Sequence, residues 1–546
     1  MKNAVFVIFL FLGSLQAARP QAPRIVNVIN FVRQTEPRYE DVTDEVIFDT
    51  TVEEVNLLKR YGMKGTFLLQ YDALVNPRYQ ELFKSCPDDI EVGAWWEITQ
   101  PHVEACGLTW RGRYPWDWHA DVGFSTGYAP QEREKLADVY MAEFKRVFGA
   151  YPKSVGSWFI DAHTLRYLRE KYHIEASCTC KDQIGTDGYT LWGGYWNQAY
   201  YPSRNNAFMP AQTEAVQIDV PVFRMLGSDP IYQYDCGLGT FNQPVVSMEP
   251  VYKESGGSKE WVEWFMRTMT DNPCLAFAYV QAGQENSFTW EKIKDGLCMQ
   301  TELLDSLQKM GKIRIQTLAE SGRWFKENFR QTPATAVVAL DDYRPGGRKT
   351  VWYDSRFYRA NMLWLDGTGY VRDIHLFDEN VESGYLREPA ASSRCVYATL
   401  PLVDGHLWST PGCRAGMFFV ENLPSGESRA LEGDEVSVEE KGDALQVRWK
   451  IDGADACMSV LFAETSIQVR LVSSKRIDWA LELKAASEEL PFRTVSDTEI
   501  ESVSDGHAYR IRCGQGRLVD LRNHGKSHEV WRIEPVDNQI VLNLNR

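Results

Sequence analysis

Five acidic residues each follow a short apolar run or stand at its end: Glu36, Glu97, Asp161, Asp182 and Glu285. Such runs read as strands, and in βα-barrels and open α/β sheets ligands sit at the carboxyl ends of strands. Two carboxyls on one rim can split a glycosidic bond, one as acid and the other as nucleophile or base. The densest stretch is 155–187. An apolar run (155–160) gives way to Asp161-Ala162-His163-Thr164, a helical segment follows (165–172), and a second run (174–180) ends in Lys181, Asp182 and Asp187. Asp161 is placed to attack a sugar or to cap the helix behind it. His163 can orient Asp161, exchange a proton itself, or simply occupy the helix's first turn.

Other candidates surround this stretch. Arg33 and Arg38 bracket Glu36 and can pair with it or hold an anionic sugar. Trp95-Trp96-Glu97 closes a third apolar run, and Trp116-Asp117-Trp118-His119 reads as a loop lying over a barrel mouth. Further on, 193–198 and 200–205 mix aromatic faces with amide and guanidinium donors, the combination that sugar sites use. The catalytic candidates are Asp161, Glu285, Glu97 and His163. The substrate-binding candidates are Glu36, Arg33, Trp96, Trp116, His119, Asp182, Trp196 and Arg204.

The elements that must position them alternate between strand and helix. Residues 24–32, 64–70, 89–98, 155–160, 174–180, 274–281 and 312–315 read as strands buried on both faces. Helical spacing appears at 51–61, 77–84, 130–148, 165–172, 261–269, 289–308 and 318–329. That pattern predicts an α/β fold with a parallel sheet, closed or open. Near Pro333 the helical runs stop and short alternating strands take over, which predicts an all-β sandwich from 334 to 546. Ahead of both, Met1–Ala17 has Lys2, an apolar core and a small residue at its end, the form of a signal peptide. The expectation is therefore three parts: 1–17 leader, 24–332 catalytic domain, 334–546 sandwich. The mature chain is expected to be exported, periplasmic or extracellular, with no membrane insertion.

Composition narrows the partners. Lys and Arg total 59 against 75 Asp and Glu, a net charge of −16. An acidic chain of this kind is a poor match to nucleic acid. The 18 Trp suit a sugar-binding protein and equally a large core. The expected partner is an oligo- or polysaccharide. The 11 Cys lack the close pairs of a zinc site, and Cys178 and Cys180 read as buried small hydrophobes on one strand face.

Residues 62–83, GMKGTFLLQYDALVNPRYQELF, resemble the second strand–helix unit of polysaccharide deacetylase-like (NodB-homology) barrels. Residues 89–99, DIEVGAWWEIT, stand where those enzymes carry a metal-binding strand, and 152–168 stand where the next strand and helix belong. The likeness spans about 24–320 by order and spacing. The whole chain also looks like a secreted gut-bacterial family of unknown function. The resemblance implies a distorted (β/α)7–8 barrel, a fold also used by glycoside hydrolases of families 38 and 57. Deacetylases of this type hold a metal with an Asp and two His. Here the third strand offers Trp95, Trp96 and Glu97 instead, and the first ends without an Asp-Asp pair. The resemblance then favours the metal-independent glycosidases, with no cofactor. By strand order it implies Asp161 as nucleophile and Glu285 as acid/base. Two alternatives stay open: a metal-dependent deacetylase using His119, His163 and Asp161, and a carbohydrate-binding protein on a degenerate barrel. A variant uses His163 as acid/base on an acidic sugar, with Arg33, Arg38 and Arg204 as anion partners.

Overall fold

The computed structural model describes residues 22–186, 189–240, 242–522 and 528–545, so Met1–Ala17 and Asp187 lie outside the described residues. Eight parallel strands build the barrel of the α/β half among the described residues: β1 (Arg24–Val32), β2 (Gly65–Leu69), β3 (Ile90–Trp95), β4 (Ser154–Gly156), β5 (Ala176–Thr179), β6 (Val222–Arg224), β7 (Ala278–Ala282) and β8 (Arg314–Gln316). They pair in parallel in the order β7-β1-β2-β3-β4-β5-β6, with β8 also on β1. The seam between β6 and β7 is spanned by side chains. Gln281 Oε1 accepts from Leu226 N at 2.7 Å, and Gln198 Oε1 accepts from Tyr279 N at 2.8 Å. The result is a nearly closed, distorted barrel.

Alternation along the strands decides which side chains fill it. Ile29 and Phe31 of β1, Leu68 of β2, Trp95 of β3, Cys178 of β5 and Tyr279 of β7 pack into one inner cluster. Their sequence neighbours Val28, Val32, Phe67, Leu69 and Trp96 belong instead to the core beneath the helices. Cys178 and Cys180 are lumen fillers, and all eleven cysteines are free thiols.

Helices alternate with the strands: α1 (Asp44–Tyr61), α2 (Tyr71–Val75), α3 (Pro77–Lys84), α4 (Gln100–Ala105), α5 (Pro130–Phe148), α6 (Ala162–Tyr172), α7 (Lys259–Asp271), α8 (Trp290–Lys309) and α9 (Leu318–Asn328). The sequence placed α1 seven residues late and gave no helix at α2 or α4. Short elements with one or two turns leave too little periodicity to read. The run 155–160 is strand only to Gly156; beyond it the chain turns inward at Trp158 and on to the cap of α6. None of the described helices is long and apolar enough to cross a membrane.

From Thr335 the described strands pair antiparallel, save Cys395–Val396, which pairs in parallel with Tyr189–Leu191 of the N-terminal half. A ten-stranded sheet begins Thr335–Ala339, Lys349–Asp354, Tyr358–Leu365, Thr368–Leu376, and an eight-stranded sheet runs from Val436–Lys441 to Phe492–Val495. Its strands alternate buried and partly buried positions, as in Ala456–Ala463. The two halves share a polar junction. Asp182, three residues beyond the end of β5, pairs with Arg224 at 2.7 Å and with Arg359 of the sandwich. Arg359 also holds Asp373 at 2.9 Å. Trp196 stacks flat on Trp352, with ring centroids 3.7 Å apart.

Candidate active site at the barrel mouth

The inner-face residue next beyond Phe31 on β1 is Arg33; beyond Leu68 on β2 it is Gln70; beyond Trp95 on β3 it is Glu97. Strand parity thus delivers a guanidinium, an amide and a carboxylate to one rim. They meet there. Arg33 donates to Glu97 through Nε at 3.0 Å and Nη2 at 2.7 Å, a two-point pair. Trp158, inward from β4, gives its indole N–H to Glu97 Oε1 at 2.7 Å, and Gln70 Nε2 donates to the other oxygen. Glu97 is consequently fixed by donors from three other strand ends.

Glu285 arrives from the turn after β7, where Gly283 takes φ +99° against the backbone of Ile29. A Cβ at Gly283 would lie 2.2 Å from the Ile29 carbonyl oxygen, so the chain can turn this close to β1 only with glycine. The turn is bolted to α1: Thr51 Oγ1 accepts from Asn286 Nδ2 at 3.0 Å, and Thr50 Oγ1 accepts from Trp290 N at 2.8 Å. Glu285 Oε2 then lies 2.6 Å from Arg33 Nη1, a close ion pair in which no N–H is aligned on the oxygen. Arg33 is 1% exposed, Glu97 1% and Glu285 4%.

Glu36 completes the cluster. Arg38 grips it with Nε at 2.7 Å and Nη2 at 2.6 Å, and Arg33 Nη1 is 3.7 Å away. Trp116 lies over both cations, 4.0 Å from the Arg33 guanidinium and 5.0 Å from that of Arg38. The loop carrying it is pinned by Gln100 N to Pro115 O at 2.7 Å and Ile98 N to Gly123 O at 2.8 Å. It is a roof over the mouth.

The charges are sorted by environment. Burial pushes the Glu285 carboxyl up to about 7, against the pull of Arg33 and Arg38. Burial also opposes ionisation of Glu36, but the hydrogen bonds from Arg38 and the charge of Arg33 hold it below the ordinary range. Burial works against Arg33 too, yet Glu285 and Glu97 keep it firmly protonated. Two further acids stand behind the rim. Asp72 is pushed up to about 7 by burial, and Glu54 on α1, with neither oxygen hydrogen-bonded, goes well above its usual range.

The structure brings Arg33, Glu36, Glu97, Glu285 and Trp116 together and puts the other candidates elsewhere. Asp161 caps α6, accepting from Thr164 N at 2.8 Å and Thr164 Oγ1 at 2.7 Å. It also accepts from Ser125 Oγ at 2.7 Å and from the buried Arg133 at 3.0 Å. Those bonds use both oxygens, and none of the donors belongs to the Arg33 cluster. His163 faces Glu134, 3.0 Å away, on the outer side of α6. His119 is in the roof, edge-on to Trp118. Trp96, one residue out of phase with Glu97, packs edge-on to Tyr140 and His102 under the helices. Asp182 and Trp196 belong to the junction described above, and Arg204 lies on the surface near Glu170, 3.8 Å apart.

Gln70, Trp158, Glu54 and Asp72 were not singled out from the sequence. Gln70 and Trp158 were legible, since each sits an even number of residues beyond an inward residue of its strand. Glu54 shares the buried face of α1 with Thr50 and Thr51, a three-to-four-residue spacing that apolar patterning alone overlooks.

A metal does not fit these residues. Among the described residues, no three His, Cys, Asp or Glu gather in a way that could hold one. Asp161, His163 and His119 point to separate partners, and the carboxylates that do converge already enclose the Arg33 guanidinium.

Comparison with known proteins adds to the fold. A model of a domain of unknown function with solved structure, DUF3863, matches residues 120–339. No curated protein sequence matches the chain. Among solved structures, the chain is similar to a Parabacteroides distasonis protein described as a candidate glycoside hydrolase/deacetylase. Identity is 17% and TM-score 0.51, over 68% of this chain and 89% of that one. A candidate polysaccharide deacetylase from Mycobacterium smegmatis aligns at 11% identity and TM-score 0.35, over 57% of this chain and 92% of that one. At such an identity the likeness to the Parabacteroides protein is one of fold alone.

Proposed function

We propose that the chain is an exported carbohydrate-active hydrolase, specifically a glycoside hydrolase that works without a metal. Glu285 donates a proton to the glycosidic oxygen, and Glu97 is the carboxylate that attacks the anomeric carbon or activates water. The observation that carries this reading is the pair of buried carboxyls, Glu97 and Glu285, brought from two strand ends onto the one guanidinium of Arg33. Burial raises Glu285 to about 7, the environment that lets a carboxyl hold a proton at neutral pH. Arg33 positions both acids, and Trp116 covers its guanidinium from the roof. The candidate hydrolase/deacetylase with a similar fold supports the substrate class. The test is a screen of aryl glycosides and polysaccharides with Glu285→Gln and Glu97→Gln beside the natural chain. A hit substrate turned over equally well by all three proteins defeats the assignment.

One observation favours a second reading. Every oxygen of Glu97 and Glu36 is engaged by a donor, and the roof closes over them. A carbohydrate-binding protein on a degenerate barrel would have this character. Such a protein would bind a glycan from the same screen and hydrolyse none.

A further inference from the structure

A second depression, of about 640 Å³, opens beside α5 and α6, lined among others by Gln131, His163, Arg166, Arg204, Asn205 and Arg387. None of its ten lining residues is an acid, on a chain of net charge −16. Pro130 and Gln131 are the first two residues of α5, and His163 is the second of α6. Both helix N-termini therefore end at its wall and add their positive dipole ends to three guanidiniums. These helices lead into and out of β4, so their N-termini lie on the same rim of the barrel as Arg33.

The acids nearby neutralise this patch only in part. Glu134 faces His163 at 3.0 Å, and Glu382 takes Arg387 at 2.7 Å. Glu170 is 3.8 Å from Arg204, a loose contact, and Glu132 is turned to the Ala129 N–H at 2.9 Å. Arg166 has no ion pair or hydrogen bond among the described residues. Arg166 uncommitted, Arg204 hydrogen-bonded only by Nε to the Gln217 carbonyl at 3.2 Å, and the His163 imidazole surround an open depression with room for a short saccharide. With the Gln131 amide and the Asn205 Oδ1 beside them (Asn205 Nδ2 is given to the Glu379 carbonyl at 2.9 Å), they match an anionic glycan. Guanidiniums take carboxylate or sulfate in two-point contacts, and the amides serve hydroxyls.

We propose that this depression binds an acidic glycan, a uronate-bearing or sulfated saccharide, through Arg166 and Arg204. The claim concerns binding alone and holds whether or not the barrel mouth turns a substrate over. Titration calorimetry with oligogalacturonate, a sulfated oligosaccharide, a neutral malto-oligosaccharide and poly-glutamate tests it at low and at 0.5 M salt. The expected result is salt-sensitive binding of an acidic oligosaccharide and none of the neutral one. The two acidic arms tell carboxylate from sulfate recognition. Arg166→Gln and Arg204→Gln are each expected to weaken it about tenfold, the size of a charge-assisted hydrogen bond. Both side chains reach solvent, so circular dichroism should show the fold unchanged. The proposal is overturned if neither acidic oligosaccharide binds, if the double variant binds as the natural chain does, or if poly-glutamate binds equally well.

Discussion

Replacing Glu285 by Gln tests the electrostatics of the barrel mouth without requiring a known substrate. Glutamine keeps the shape and mimics the protonated acid; the variant removes one titration and the Glu285–Arg33 ion pair, and Arg33 keeps the two-point pair with Glu97. In the folded chain Glu285 ionises at about 7, against an ordinary 4.5. A difference of that size corresponds to about 3 kcal/mol of proton-linked free energy. The sign follows from the direction. A carboxyl raised on folding contributes stability that is fully present below 4.5 and is lost as pH rises through about 7. The natural chain should therefore weaken between pH 5 and pH 8 by a contribution that Glu285→Gln lacks. At pH 8 the variant is expected to be up to about 3 kcal/mol more stable than the natural chain, with the gap closing towards pH 5. Chemical denaturation followed by tryptophan fluorescence across that range reads the difference directly, since Trp95, Trp116 and Trp158 ring the site. Parallel stability curves for the two proteins from pH 5 to pH 8 would refute the reasoning that burial keeps Glu285 protonated. Loss of turnover in the same variant, on any substrate found, would tie that proton to catalysis.

Three further outcomes follow from the geometry. Asp161→Asn keeps the cap, because Asn caps as well as Asp, but leaves Arg133 buried without its charge partner; a loss of about 3–5 kcal/mol is expected by denaturant titration, with turnover per folded molecule retained. Asp182→Asn removes the acid shared by Arg224 and Arg359 at the junction of the two halves. It should cost about 3–5 kcal/mol and split the calorimetric melt into two transitions; a single unshifted peak counts against the junction's role. Trp116→Ala strips the ring from Arg33 and opens a hole in the roof. A loss of about 3–5 kcal/mol is expected, together with greater acrylamide quenching of the remaining mouth tryptophans, and unchanged quenching would show that the roof does not seal the site.

Much of this arrangement was legible before any coordinates. The strand-like runs located β1, β2, β3, β5 and β7, and the loss of helical periodicity after Pro333 marked the change to antiparallel β. Parity along a strand is also a local property, and by it Arg33, Gln70 and Glu97 each fall in phase with an inward apolar residue, although Gln70 was not singled out from the sequence. The same rule, applied strictly, excludes Trp96. Asp161 was ambiguous for a physical reason. A carboxylate before a helix has the same local signature whether it caps the helix or does chemistry, and only its donors separate the two.

The sequence by itself determined the alternation that makes a barrel, the acidic strand ends and the aromatic roof, because these depend on neighbours a few residues apart. The tertiary structure decided which ends share a site. Arg33 meets Glu97 across 64 residues and Glu285 across some 250, and those contacts depend on barrel closure rather than on local pattern. It also decided protonation. Glu36, Glu97 and Glu285 are the same residue type at similar positions; burial and the choice of cation, Arg38 or Arg33, separate Glu285 from Glu36.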